Sequence, residues 1–310
     1  MLGSKRNLSE AESFINDLEP FFYKRQITYV DAGACHGDLL TTLGGSRITV
    51  RDAHLIEPNP DNFESLMRKH GKSKCSKHVF FYPLALGADR RELPLIKQGT
   101  MSRVLKDLQA DSYVSLSGNV VRAKVDSLDN LAAEINLKSI ALLKIDVEGS
   151  ELPLLVGAKR LLADESIDVI YIEAGLDPAS TSQTYYREIE DYLGKFGYKI
   201  FKIYEQKNEW LEDSPILRRV NIAFFSNKFA NRNPYRLSIS LFQSQEKVSE
   251  LNILNEGLLS ELKEMKSNFR ELSERCVSLE VQLKESCDSK KKVESEVISD
   301  QSRVISEKSE

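Results

Sequence analysis

The chain has 310 residues, 41% of them hydrophobic and 29% charged, with a net charge of −4. That length suits one α/β domain of roughly 200–250 residues plus an appendage, and the slight acidity excludes the clustered Lys and Arg excess of a long nucleic-acid footprint. No apolar run is long enough to span a membrane, no apolar leader opens the chain, and Cys35, Cys75, Cys276 and Cys287 fall in no CxxC or metal-type spacing, so a soluble, reduced, cytoplasmic protein without a transmembrane segment is expected.

Residues 1–24 read as a helical lead-in, with a helical pattern near 9–18. From 25 to 234, apolar runs near 27–32, 49–56, 78–84, 140–146, 167–173, 198–204 and 219–226 read as strands. Helical patterns near 38–44, 60–70, 127–136, 151–163 and 184–196 separate them. This alternation predicts a doubly wound, mostly parallel α/β sheet of seven strands. Only the short connection around Trp210 to Pro215 joins the last two strands, which predicts an antiparallel hairpin at a sheet edge. Residues 88–125 fit no regular alternation and are expected to form a loop-rich insertion over the strand ends.

After Pro234 there is no further proline and one glycine, Gly257. Val248, Leu251, Asn255, Leu258, Leu262, Met265, Phe269, Leu272, Cys276, Leu279 and Leu283 keep a strict heptad register, the pattern of a coiled coil. A coiled-coil helix is therefore expected over 235–290, followed by a frayed tail over 291–310. Self-association as a dimer or trimer is expected through about 241–285. In a parallel homodimer Glu261 faces Lys266 and Arg275 faces Glu280 across the interface, both attractive pairings. A monomeric helix folded back on the domain is the alternative.

Three motifs in the sheet region carry chemistry. Tyr29-Val30-Asp31-Ala32-Gly33-Ala34-Cys35-His36-Gly37-Asp38 ends a strand in an acid, turns at glycines and opens a helix. Such a turn lets backbone approach a ligand at a helix N-terminus. It is not the G-x-G-x-x-G dinucleotide fingerprint; Gly-x-x-x-Gly after a strand-terminal acid resembles motif I of class I S-adenosylmethionine (SAM) methyltransferases. About 20 residues on, Glu57 ends the next strand, where an acid can accept from ribose hydroxyls or stabilise the helix that begins at Pro60. In the third, Leu143-Lys144-Ile145-Asp146-Val147-Glu148-Gly149-Ser150-Glu151, acids crowd a strand's carboxyl end, where open α/β sheets bind ligands.

Ser127-Leu128-Asp129, the segment Lys144 to Glu151, and Leu155-Val156-Gly157-Ala158 together resemble the FkbM-type methyltransferase family. Ile170-Tyr171-Ile172-Glu173 and Val220-Asn221-Ile222 look like its last strands, so the resemblance spans roughly 25–226. It departs in motif I, where Cys35 takes the place of the family's Asn and His36 follows. The resemblance implies SAM-dependent transfer of a methyl group to an oxygen, typically a hydroxyl of a sugar, glycan precursor or natural product. Asp31, Gly33, Ala34, Gly37, Glu57, Asn59 and Asp146 are the implied cofactor-side residues. Asp146 is the leading base or polar orienter, Glu148 shapes the acceptor site if the strand extends that far, and Glu173 is a further acceptor-side candidate. Glu151 is expected simply to start its helix, His54 to be a hydrogen-bonded core residue, and Lys144 to partner an acid. Ser102 and Arg103 are candidates for substrate recognition. No histidine stands at diagnostic spacing from the acids, so no metal is expected; a divalent-cation site built from Asp146, Glu148 and a histidine is the alternative. The competing reading is a methyltransferase-like scaffold that organises a glycan-assembly complex through its coil.

Overall fold

A computed structural model describes residues 9–105, 119–180, 182–208, 215–231 and 234–307. The chain forms two compact units, Met1–Phe242 and Gln243–Glu310.

In chain order the strands are β1 (Gln26–Ala32), β2 (Thr49–Ile56), β3 (Ser76–Tyr82), β4 (Ala85–Leu86), β5 (Arg91–Ile96), β6 (Arg103–Val104), β7 (Val120–Asp126), β8 (Ile140–Ile145), β9 (Ile167–Gly175), β10 (Lys199–Asn208) and β11 (Leu217–Phe225). Seven of them build the main sheet in the order β10-β11-β9-β8-β1-β2-β3. β11 runs antiparallel to β9 and to β10; the other neighbours are parallel. The chain order reverses between β1 and β8, which puts a topological switch point, and with it a ligand crevice, at their carboxyl ends. The expected edge hairpin is present as β10 and β11, while residues 209–214 of its connection, Trp210 included, lie outside the described residues.

Strand alternation divides the core in two. Val30, Leu143, Ile145, Ile170, Ile172 and Ile222 belong to one buried cluster. Tyr29, Leu142, Val169, Tyr171 and Ala223 belong to the other, beneath Phe14, Ile15 and Leu18 of the helix Glu10–Phe22. That helix starts with a capping box in which Ser9 and Glu12 satisfy each other's backbone N–H groups, and it stacks Phe14 on Tyr171 with ring centroids 3.8 Å apart.

Two expectations are corrected. The described part of residues 88–125 is not loop-rich but supplies β5, β6 and β7 of a second sheet, ordered β4-β7-β5-β6, while residues 106–118 lie outside the described residues. Val121, Ala123 and Val125 alternate with Arg122, Lys124 and Asp126, a strand period that covers one face of a small sheet. The helix expected over 151–163 is two, Glu151–Val156 and Lys159–Ala163. The chain breaks at Gly157, where a Cβ would land on the Gly87 carbonyl. Asp129 then caps the second piece, accepting from the N–H groups of Arg160 (2.7 Å) and Leu161 (3.1 Å). Ser127 likewise accepts from Asn130 N at 3.1 Å to start the helix Leu128–Glu134.

From Pro234 a single helix runs to Glu307, past Leu283 where the heptad register ends. Its heptad side chains are open to solvent in this chain, from Leu262 at 44% to Phe269 at 74% exposed. Among the described residues, no helix is long and apolar enough to cross a membrane.

Candidate active site

A cleft of about 500 Å³ opens at the carboxyl ends of β1, β2, β8 and β9, roofed by residues of the second sheet. Its volume lies within the range of small-molecule sites. Among the described residues its lining carries six carboxylates (Asp38, Glu57, Asp146, Glu148, Glu173, Glu205) against three cationic side chains (Lys144, Arg218, Arg219). The potential inside therefore favours a positively charged ligand.

Register explains which side chains meet. Asp31 of β1 lies beside Lys144 of β8, and Lys144 beside Tyr171 of β9, so all three share one sheet face. Lys144 Nζ donates to Asp31 Oδ1 (3.2 Å), Asp146 Oδ2 (3.3 Å) and the Gly33 carbonyl (3.4 Å). Burial by itself favours a neutral amine, but the two carboxylates outweigh it and raise the Lys144 pKa above its ordinary value, keeping the ammonium charged. Asp31 is buried, 1% exposed, and does not line the cleft; Tyr29 OH donates to its other oxygen at 2.6 Å. Asp31 therefore reaches the site through Lys144.

The glycine turn is demanded by packing. Gly33 has φ +78° and Gly37 φ +66°, a conformation that disfavours any side chain. A Cβ on Gly33 would fall on the Asp146 carbonyl oxygen, and one on Gly37 would strike the His70 ring. His70 Nε2 donates to the His36 carbonyl at 3.2 Å, bracing the same turn. Gly33, Ala34, Cys35 and His36 line the cleft, whereas Gly37 stands behind it as the N-cap of the helix Asp38–Gly44.

Glu57 lines the cleft and is almost wholly buried. Its Oε2 accepts from Cys35 N (2.9 Å) and its Oε1 from Asn59 N (2.8 Å), so one carboxylate clamps both ligand-facing turns. Burial raises its pKa, and those two N–H groups pull it back. The Cys35 thiol is pushed up to about 11 by burial and by the Glu57 charge, so it stays protonated and unreactive near neutrality. Asn59 is 1% exposed and outside the lining. It caps the helix Pro60–His70 through Asp61 N and donates to Ser102 Oγ at 2.9 Å. Ser102 lines the cleft; Arg103 does not.

β8 stops at Ile145, so Glu148 does not share a face with Asp146 by strand alternation. It enters the cleft through a left-handed turn, φ +48°, followed by Gly149 at φ +92°. Burial, and then the Asp146 charge, push the Glu148 carboxyl up to about 7, with Arg219 opposing. Glu151 does begin a helix, yet its role is larger: it is fully buried and accepts from Gly149 N (2.9 Å), Thr184 N (3.0 Å) and Thr184 Oγ1 (2.7 Å). It fastens the Glu148 turn to the segment that carries Gln183.

Glu173, near the end of β9, is 3% exposed and pairs through Oε1 with Arg219. Sequence reading missed Arg219, Asn221, Gln183 and Glu205, all of which line the cleft. Asn221 sits directly opposite Glu173 in the β9–β11 register and shares its face, a pairing that only the fold supplies. Glu205 comes in on a kink of β10 at φ +47°. Cys35, Glu148 and Glu205 are thus three non-glycine residues in left-handed backbone that all face one cleft, a concentration of strain typical of functional sites. His54 is the core residue expected, with Nδ1 2.9 Å from Tyr82 OH.

Residues 31–200, more than half of the chain, match the family model described as the methyltransferase FkbM domain. Hexuronic acid methyltransferase AglP of Haloferax volcanii is 26% identical over 147 residues, covering 44% of this chain and 53% of that protein. The chain thus spans about half the length of that curated relative. Among solved structures, methyltransferase FkbM from Methylobacillus flagellatus aligns over 66% of this chain and 47% of its own, at 17% identity and a TM-score of 0.43. The bifunctional kinase-methyltransferase WbdD aligns over 72% of this chain and 40% of its own, at 13% identity and a TM-score of 0.41. On its sequence match, this chain is a member of the FkbM methyltransferase family.

Proposed function

We propose that this protein is a SAM-dependent O-methyltransferase acting on a hydroxyl of a carbohydrate, glycan precursor or related natural product. The observation that carries the reading is the Asp146 carboxylate, held by Lys144 at 3.3 Å, in the same cleft as the Gly33 turn and Glu57. The residues fit the cofactor: the lining is acidic, which suits a sulfonium cation, and Glu57 lines the cleft just beyond β2, a position from which an acid can accept from ribose hydroxyls. When bound, SAM supplies an electrophilic methyl group. Gly33, Ala34 and Glu57 shape its cradle, Gly37 and Asn59 hold the two turns from behind, and Asp31 fixes Lys144. An aliphatic hydroxyl is a poor nucleophile, so its oxygen must be held in line and relieved of its proton. Asp146 orients that hydroxyl and accepts from it, with Glu148 and Glu173 shaping the acceptor side. A sugar acceptor is supported by the hexuronic acid methyltransferase relative.

The test is calorimetry with SAM, followed by a screen of sugar, uronic acid and nucleotide-sugar acceptors with methyl-labelled SAM. Wild-type protein binds SAM, and Asp146→Asn keeps that affinity while losing about 10²–10⁴ in turnover. Wild-type protein with no SAM affinity overturns the reading.

A second proposal concerns the C-terminal helix, whose heptad side chains from Val248 to Leu283 are solvent-exposed in a single chain. Two or three copies pair through about 241–285, burying that stripe. The self-association leaves residues 25–234 as the methyltransferase domain.

A further inference from the structure

One carboxylate oxygen from each of Asp146, Glu148 and Glu173 lies within 4.8 Å of the other two. Ligands at the 2.0–2.4 Å typical of hard divalent cations are separated by no more than about 4.8 Å, the diameter of their coordination sphere. Each acid also has one oxygen committed and one open among the described residues. Asp146 Oδ2 takes Lys144, Glu173 Oε1 takes Arg219, and Glu148 Oε2 takes Gln183 Nε2 at 3.4 Å. Glu173 Oε2 is buried with no hydrogen-bond partner.

An independent observation comes from Gln183, on a different segment. Its side chain is 4% exposed and lines the same cleft; its Nε2 touches Glu148, and its Oε1 is buried without a partner. A buried amide oxygen left unpaired costs free energy of about 1–3 kcal/mol. In the same cleft as the three acids it adds a neutral oxygen to a set with no sulfur or imidazole among them, the donor chemistry of Mg²⁺ and Mn²⁺.

We infer that Asp146, Glu148, Glu173 and Gln183 form a binding site for one hard divalent cation, with remaining positions open to hydroxyl oxygens of the acceptor. Lys144 and Arg219 each offset one of the three negative charges, so the site is a modest one, with a Kd of about 0.1–1 mM. The site revises the expectation, drawn from histidine spacing, that no metal takes part. Its part in positioning an acceptor rests on the methyltransferase reading; the cation binding does not.

The experiment is titration of full-length protein with Mn²⁺, followed by electron paramagnetic resonance of the free ion, with SAM calorimetry in parallel in excess chelator. Expected are one saturable Mn²⁺ site per chain, displacement by Mg²⁺, and at least tenfold weaker binding in both Glu148→Gln and Gln183→Met. Absence of a saturable site, or equal affinity in the two variants and the wild type, overturns the cation site. Mn²⁺ binding as expected beside no SAM binding in chelator or in Mn²⁺ keeps the cation site and overturns the methyltransferase reading instead.

Discussion

Lys144 and Asp31 are 113 positions apart in sequence and 3.2 Å apart in the fold. Through the same ammonium, the end of β1 is tied to Asp146, the first residue beyond β8. The pairing gives a buried carboxylate, 1% exposed, a cationic partner beneath the cleft.

Replacing Lys144 with Met therefore leaves Asp31 without its cation. Breaking a buried pair from one side costs about 3 kcal/mol or more. Urea unfolding of Lys144→Met is expected to show that loss, with Asp31→Asn in the same chain recovering part of it. A loss below about 1 kcal/mol would remove the pair from the stability argument.

Glu57 holds Cys35 N and Asn59 N with its two oxygens. Glu57→Gln keeps the volume but sets an amide N–H₂ against one of those donors. Hydrogen bonds to charged groups contribute about 1.5–3 kcal/mol, so SAM affinity is expected to fall at least about tenfold. Calorimetry that finds an unchanged affinity excludes Glu57 from the cofactor site.

Glu148 gives the fold a pH signature in cation-free buffer. Its carboxyl is raised from 4.5 to about 7 in the folded chain, so between those values the folded state keeps a proton that the unfolded chain has released. Stability contributed by this group is present below about pH 4.5 and declines as pH rises through about 7. Thermal melts of wild type and Glu148→Gln in chelator are expected to diverge across that window, the wild type losing Tm relative to the variant. Parallel melting curves at every pH contradict the assignment.

Cys276 reports on the helix. It occupies a heptad core position between Leu272 and Leu279, so in a parallel, in-register pair two copies of it face each other. Mild oxidation is expected to give a covalent dimer that Cys276→Ser abolishes and Cys287→Ser retains. Light scattering that finds the reduced full-length chain monomeric sinks the self-association proposal.

The parts of this protein that follow from local chemistry are legible in its sequence. β8 is an apolar run ending in acids, the 60–70 helix carries its own cap and terminal Gly71, and the heptads run without a break from Val248 to Leu283. Each depends on a period or a cap spanning a few residues. Strand–helix alternation then suffices for the mostly parallel sheet.

Tertiary structure alone decided the rest. Periodicity ends at Ile145, and only the left-handed backbone at Glu148 turns its carboxylate back toward Asp146. Glu173, Arg219 and Asn221 meet through the β9–β11 register, and Gln183 arrives because Glu151 binds the neighbouring Thr184. The second sheet likewise depends on pairing β5 with β7 across a long gap in sequence. Such contacts join residues tens of positions apart, so no local pattern encodes them. The sequence determined that this chain carries acids at a strand end, and the fold determined which of them share one cleft.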